Sequence, residues 1–189
     1  MSSSSILQIT QQLHQLNKKF VDYSTIARLS HQNNPNTIQK ITSRLLQKKI
    51  ITKLANAKYL FNQSSTTKFE ISNYLYQPSY ISLQSALSFY GILPQFTYSI
   101  TAITTKKTKK IISQQQEFTY SHIKTQLFHH YHKQNGFLIA TPEKALFDSL
   151  YFQSKGLVSL NLDELDLKLI NLSLFNQVCQ DYPKLKIKL

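Results

Sequence analysis

The chain has no tryptophan, one cysteine, three glycines, few acids and no long apolar run, and each scarcity excludes something. A lone cysteine, Cys179, rules out an intramolecular disulfide and a cysteine-based metal cluster. Its setting, Phe175-Asn176-Gln177-Val178-Cys179, predicts a small buried hydrophobe. Gly91, Gly136 and Gly156 lie too far apart for a glycine-rich phosphate loop, so no nucleotide cofactor is expected from that source. No run approaches the roughly 20 apolar residues that cross a bilayer. Met1 to Ser5 has neither the charged nor the apolar part of a signal peptide, and a cytoplasmic location is the expectation.

Acids are scarce overall, nine against 22 Lys and Arg, for a formal charge of +13. Residues 1–63 carry nine bases (Lys18, Lys19, Arg28, Lys40, Arg44, Lys48, Lys49, Lys53, Lys58) and the single acid Asp22, a net of +8. Residues 141–189 carry six of each sign. A lysine-rich coding bias explains abundance, since 20 of the 22 bases are Lys, but not the near absence of acids from one third of the chain. The excess predicts a polyanionic partner for the first third.

What is present there is a pattern of short helices. Ile6, Ile9, Leu13, Leu16 and Phe20 recur at spacings of three and four, predicting a helix from about Ser5 to Lys19. Tyr23 to Leu29 reads as a second helix. Asn34 is a good N-cap and Pro35 suits a first helical position, so a third begins there. Its Ile38, Ile41 and Leu45 form a buried stripe, with Thr37, Gln39, Lys40, Ser43, Arg44 and Lys48 facing outward. Two β-type runs follow, Ile50 to Leu54 and Tyr59 to Phe61, with Asn56 the best candidate for a left-handed turn residue. Together these predict a winged helix-turn-helix domain over residues 1–63. Its candidate DNA-contacting residues are Asn36, Thr37, Gln39, Lys40, Ser43, Arg44 and Lys48 on the helix, with Lys53 and Lys58 on the wing. Gln and Asn suit adenine edges and Arg suits guanine.

Asn62 to Thr67 is polar and linker-like, so a second domain is assigned to residues 64–189, with its first element near Lys68. Phe69 to Leu75 predicts a short helix stopped by Gln77-Pro78-Ser79. Ser82 to Tyr90 predicts another, capped by Ser82 and closed by Gly91. Phe96 to Thr104 alternates as a half-buried strand, with further strands at Ile111-Ile112, Phe118 to Tyr120 and Phe137 to Ile139. Lys106 to Lys110 reads as a solvated hairpin tip. Thr141, Pro142 and Glu143 open a helix to about Phe152 with Ala145, Leu146, Phe147 and Leu150 inward. Leu160 to Ile170 reads as an extended piece before a last helix over Leu172 to Asp181 and a basic tail. The fold class is α+β, its carboxyl-terminal part built on a small, mainly antiparallel sheet.

No catalytic constellation emerges. His129, His130 and His132 lack the spacing and companions of a metal site. Glu143 and Lys144 resemble a nuclease carboxylate and lysine, yet no second acid completes the pair.

Two segments carry a family resemblance: Tyr80-Ile81-Ser82-Leu83-Gln84-Ser85-Ala86-Leu87-Ser88-Phe89-Tyr90-Gly91 and Ala140-Thr141-Pro142-Glu143-Lys144-Ala145-Leu146-Phe147-Asp148. In this order, behind a basic amino-terminal domain and ahead of a Leu-rich end with Asp163-Glu164-Leu165, the chain resembles the AbiEi-type antitoxins of bacterial type IV toxin-antitoxin systems. The resemblance implies a transcriptional repressor of its own operon that binds inverted repeats upstream of it. It also implies an antitoxin that counteracts a nucleotidyltransferase-like toxin without necessarily forming a complex with it. Lys49 and Asn56-Ala57 stand where such proteins commonly have glycine, a departure that predicts a splayed wing or one less closely applied to DNA. By chemistry, Ser82, Ala86, Thr141 and Pro142 read as caps and packing positions. An adaptor whose second domain docks a protein partner is the alternative reading.

Overall fold

A computed structural model describes residues 5–95 and 98–180. Phe96 at the start of the expected strand, Asp181 at the end of the expected last helix and the basic tail lie outside the described residues. The chain divides into two compact units, Met1–Thr67 and Lys68–Leu189.

In the first unit, α1 (Ile6–Gln15) opens on a capping box in which Ser5 Oγ accepts the Gln8 N–H and Gln8 Oε1 accepts the Ser5 N–H. It ends earlier than its apolar periodicity predicts. Asn17 adopts a left-handed φ of 46°, and the Lys18 N–H returns to the Leu13 carbonyl at 3.0 Å, which closes the helix. Leu16 is therefore exposed, and Phe20 belongs to a strand, β1 (Phe20–Asp22). Asp22 caps α2 (Tyr23–Ser30), its carboxylate accepting the Thr25 N–H and the Ser24 hydroxyl, both at 2.8 Å. Burial pushes this carboxyl up, but those bonds outweigh it and hold it below its ordinary value.

Asn34 caps α3 (Pro35–Gln47) by accepting the Asn36 N–H at 2.9 Å, with Pro35 at the first turn. Ile38, Ile41 and Leu45 are buried as their spacing predicts, each burial contributing roughly 1.5–3 kcal/mol. They join Ile9, Leu13, Val21, Ile26, Leu29, Ile51, Tyr59 and Phe61 in one core. The hairpin β2 (Ile51–Ala55) and β3 (Lys58–Phe61) completes an antiparallel sheet of order β1-β3-β2.

The hairpin is paired from Ile51↔Phe61 to Ala55↔Lys58 and is not splayed. Its ladder slips between Lys53 and Ala55, and the left-handed residue is Ala57 (φ 56°), not Asn56. A turn joined to a bulge puts the positive φ on its last residue, which here is Ala57. Lys49 has φ 54° as well, so two positions without glycine adopt the backbone that glycine favours.

The second unit runs α4 (Lys68–Leu75), β4 (Ser79–Ile81), α5 (Leu83–Phe89), β5 (Ser99–Thr104), β6 (Lys109–Ser113), β7 (Gln116–His122), β8 (Tyr131–Gln134), β9 (Phe137–Ala140), α6 (Pro142–Gln153) and α7 (Leu172–Gln180). Its sheet differs from the expected small, mainly antiparallel one. It has six strands in the order β6-β7-β5-β4-β9-β8 and is mixed, with β5–β7 and β4–β9 parallel. β4 is the unexpected centre. Three residues buried on both sides show no alternation, so its pattern is silent.

β5 is buried from Ile100 to Thr104 and not half-buried, because both faces are covered. On one side α4 receives the Tyr120 hydroxyl at the Ser72 carbonyl (2.7 Å), and Phe69 packs edge-on against Phe137. On the other, Ser85 Oγ of α5 accepts the Thr101 N–H at 2.8 Å, and Tyr80 reaches α6. The same enclosure buries every residue from Glu143 to Phe152, well beyond the expected inward set. The β8–β9 hairpin turns on Asn135 (φ 47°) and Gly136 (φ 93°), where a Cβ would press on the Glu70 carboxylate. Leu160 to Ile170 is not simply extended but holds two 3₁₀ turns, Leu162–Glu164 and Leu167–Leu169, capped by Asn161 and Asp166. Cys179 is half-buried, beside the buried Phe175 and Val178, and burial pushes its thiol up. Among the described residues no helix is long and apolar enough to cross a membrane.

The strain at Ala57 is testable. A Cβ in the left-handed region costs roughly 1–2 kcal/mol, against roughly 0.5–1 kcal/mol of added chain entropy for glycine. Ala57→Gly is therefore expected to stabilise the protein by about 0.5–1 kcal/mol. A lower urea midpoint in the variant contradicts that expectation.

Candidate nucleic-acid interface

The face of α3 opposite its buried stripe is continuous. Asn36, Gln39, Lys40, Ser43, Arg44 and Gln47 line one shallow groove of about 570 Å³. Their spacing of three, four, seven, eight and eleven from Asn36 is one side of a helix. All six are exposed. Lys40 and Arg44 make no ion pair among the described residues, so both charges face solvent unbalanced. Gln47 was not among the expected contacts, although it lies one turn beyond Ser43 and Arg44.

The other expected contacts divide. Thr37 is half-buried and off the groove lining, and Lys48 is exposed at the α3 C-cap. Lys53 is exposed on β2. Lys58 is half-buried on β3, across the ladder from Asp22, the only acid of residues 1–63. The groove thus unites five of the nine expected residues, all from α3, and leaves two lysines on the hairpin beyond it.

This arrangement can meet an anionic surface with cations, and its neutral Asn, Gln and Ser side chains can exchange hydrogen bonds with polar edges. His31, the C-cap of α2, has a left-handed φ of 53° that ends the helix, and four residues separate α2 from α3. α2 and α3 then share the Ile26, Leu29, Ile38 and Ile41 core, which fixes the exposed face of α3 relative to α2.

Glu143 and the histidines, from which no catalytic constellation was expected, lie in the second unit. Glu143 is buried, and its Oε1 accepts the Asn171 N–H at 3.1 Å just before α7. His132 lies in β8 with its Nε2 against Gln134 Oε1, while His129 and His130 meet through their Nδ1 atoms.

Sequence reasoning missed a charged network at the centre of this unit. Lys144 and Asp148, one turn apart on α6, are both fully buried, with Nζ 2.7 Å from Oδ1. Asp148 Oδ2 also accepts the Ser82 hydroxyl at 2.7 Å and the Tyr80 hydroxyl at 3.0 Å. Contrary to expectation, the Ser82 side chain makes no capping bond to α5: its hydroxyl donates to Asp148, and the Ser85 N–H that a cap would receive goes to Thr101 Oγ1 at 3.1 Å. Burial pushes the Asp148 carboxyl up, and Lys144, Ser82 and Tyr80 pull it part of the way back. Burial and the Asp148 charge push the Tyr80 phenol well above its ordinary value, which keeps it a donor. The signal was available: Lys144 and Asp148 at i and i+4 bracket the apolar run Ala145-Leu146-Phe147.

No protein-family model matches the chain, and no curated protein matches it.

Removing one partner of the buried pair strands the other. Asp148→Ala is expected to cost about 3–5 kcal/mol. The Lys144→Met/Asp148→Leu double variant should cost less than its single variants summed, by roughly 0.5–3 kcal/mol. Urea unfolding of the four proteins measures this coupling, and strict additivity contradicts it.

Proposed function

We propose that residues 1–63 form a winged helix-turn-helix domain that lays α3 along duplex DNA, and that the chain is a transcriptional autorepressor. The observation that carries this reading is the acid-free groove of Asn36, Gln39, Lys40, Ser43, Arg44 and Gln47, backed by a buried stripe and followed by a lysine-bearing hairpin. The topology α1-β1-α2-α3-β2-β3 supports it, since the hairpin directly after α3 has the chain position of a wing. Lys40 and Arg44 are the leading base or phosphate contacts, with Lys48, Lys53 and Lys58 nearer the backbone of the duplex.

The role beyond DNA binding is proposed from the resemblance to AbiEi-type antitoxins. In this reading the protein acts in the cytoplasm, binds inverted repeats ahead of its own operon and counteracts a nucleotidyltransferase-like toxin without an enzymatic step of its own. The Asp148 network supports treating the two motifs as one structural unit, because Tyr80 and Ser82 come from the first and Lys144 and Asp148 from the second. The exposed Leu169, Leu172 and Leu174 favour the second reading, an adaptor that docks a protein partner.

A gel shift with the DNA upstream of the operon separates them. The wild type should bind with an affinity that falls steeply with salt. Lys40→Ala/Arg44→Ala should lose about 1–3 kcal/mol for each base-reading contact, while its unfolding free energy stays within about 0.5 kcal/mol of wild type because both side chains are exposed. Salt-independent binding, or wild-type binding by the double variant, overturns the repressor reading. A stoichiometric protein partner recovered in the absence of any shift favours the adaptor.

A further inference from the structure

The second unit carries a recess that the duplex-binding reading does not use. Tyr76, Thr105, Lys106, Lys107, Thr108 and His122 line an open hollow of about 670 Å³. Its size falls in the range of ligand clefts, roughly 300–1,000 Å³. None of its lining residues is acidic. Glu117, the acid nearest in sequence, is paired with Lys110 at 2.7 Å, further along the β6–β7 ladder.

The segment between β5 and β6 is solvated as its composition predicts, but it is not a hairpin tip, because β7 lies between the two strands, and its backbone is pinned. The Tyr76 hydroxyl donates to the Lys107 carbonyl at 3.0 Å, and His122 Nδ1–H donates to the Lys106 carbonyl at 3.0 Å. The Lys106 N–H reaches Thr104 Oγ1, and the His122 N–H reaches Thr108 Oγ1, both at 3.2 Å. Four bonds thus hold a four-residue connection. Its lysines are gathered as well: Lys106 Nζ lies 5.7 Å and Lys109 Nζ 5.2 Å from the Tyr76 ring centroid. An aromatic ring offsets part of the repulsion between two such ammonium groups. The ring is itself braced edge-on by Tyr120 at 5.1 Å.

We propose that this recess binds single-stranded nucleic acid, with Lys106, Lys107 and Lys109 on successive phosphates and an unpaired base against Tyr76. Cations held in place around an aromatic are the chemistry by which proteins hold unpaired strands without reading sequence. A duplex presents its phosphates outward and its bases stacked inside, so it has nothing to place in a hollow floored by a ring. The pinned backbone means that little ordering is left for the moment of binding. The Thr105 and Thr108 hydroxyls in the lining can donate to phosphate oxygens. This site is separate from the α3 groove and stands whether or not that groove binds an operator.

Fluorescence anisotropy of the full chain with a labelled twelve-nucleotide oligo(dT) at physiological salt tests the site. Binding should weaken at least tenfold in Lys106→Ala/Lys107→Ala/Lys109→Ala and in Tyr76→Leu. Tyr76→Phe, which keeps the ring, should stay within about threefold of wild type, and the circular dichroism of all variants should match it. An abasic strand of the same length should bind at least fivefold more weakly than oligo(dT), and the triple variant should leave the upstream-duplex shift unchanged. No oligo(dT) binding by the wild type, full binding by the triple variant, or equal binding of the abasic strand overturns the proposal. A triple variant that loses the duplex shift as completely as the single strand also overturns it.

Discussion

A single carboxylate organises the second unit. Asp148 is wholly inside the protein, where an unpaired charge is costly, so its position is tolerable only with donors on every side. Lys144 supplies one from the same helix. Ser82 and Tyr80 supply the others from β4 and the residue after it. That requirement fixes α6 against the central strand of the sheet. With β4 held there, antiparallel to β5 and parallel to β9, the remaining strands can add only outward. Lys144 has a further neighbour in the Phe147 ring, 4.6 Å from its Nζ, which adds a second electrostatic partner within the same turn.

The first unit is organised by a division of labour along α3. Its inward side chains are aliphatic apart from Thr42, whose hydroxyl donates to the Ile38 carbonyl, whereas those of the groove are neutral or cationic and open to solvent. The same helix thus contributes to stability through one side and to the proposed recognition through the other, so changes on the outer side are not constrained by packing. Capping reinforces the division. Asn34 and Pro35 start the helix at a defined residue, and that start sets which side chains face outward along its length.

Much of this was legible in the chain itself, because helix signals are local. The caps at Asn34 and Thr141 and the stripe of Ile38, Ile41 and Leu45 depend on neighbours a few residues away. What escaped reading depends on distant partners. β1 and β4 are three residues long and become strands only through β3, β5 and β9. β8 precedes an Asn135-Gly136 turn, but its Tyr-His-Lys-Gln sequence is polar and largely exposed and shows no apolar alternation. Ser82 has the residue type and position of an N-cap, but its hydroxyl donates to a buried acid and the N–H it would receive goes to Thr101 of β5, both tertiary partners. In the candidate interface, the five α3 residues were predictable from helical periodicity. The half-buried state of Lys58 follows from β1, which the pattern did not reveal.

The two outermost strands of the larger sheet share a trait. β6 carries Lys109 and Lys110, and β8 carries Lys133. Any second molecule offering its own border would bring like charge against like at the distance of a backbone ladder. Charges placed along these margins act against border-to-border pairing of the sheet with a second copy.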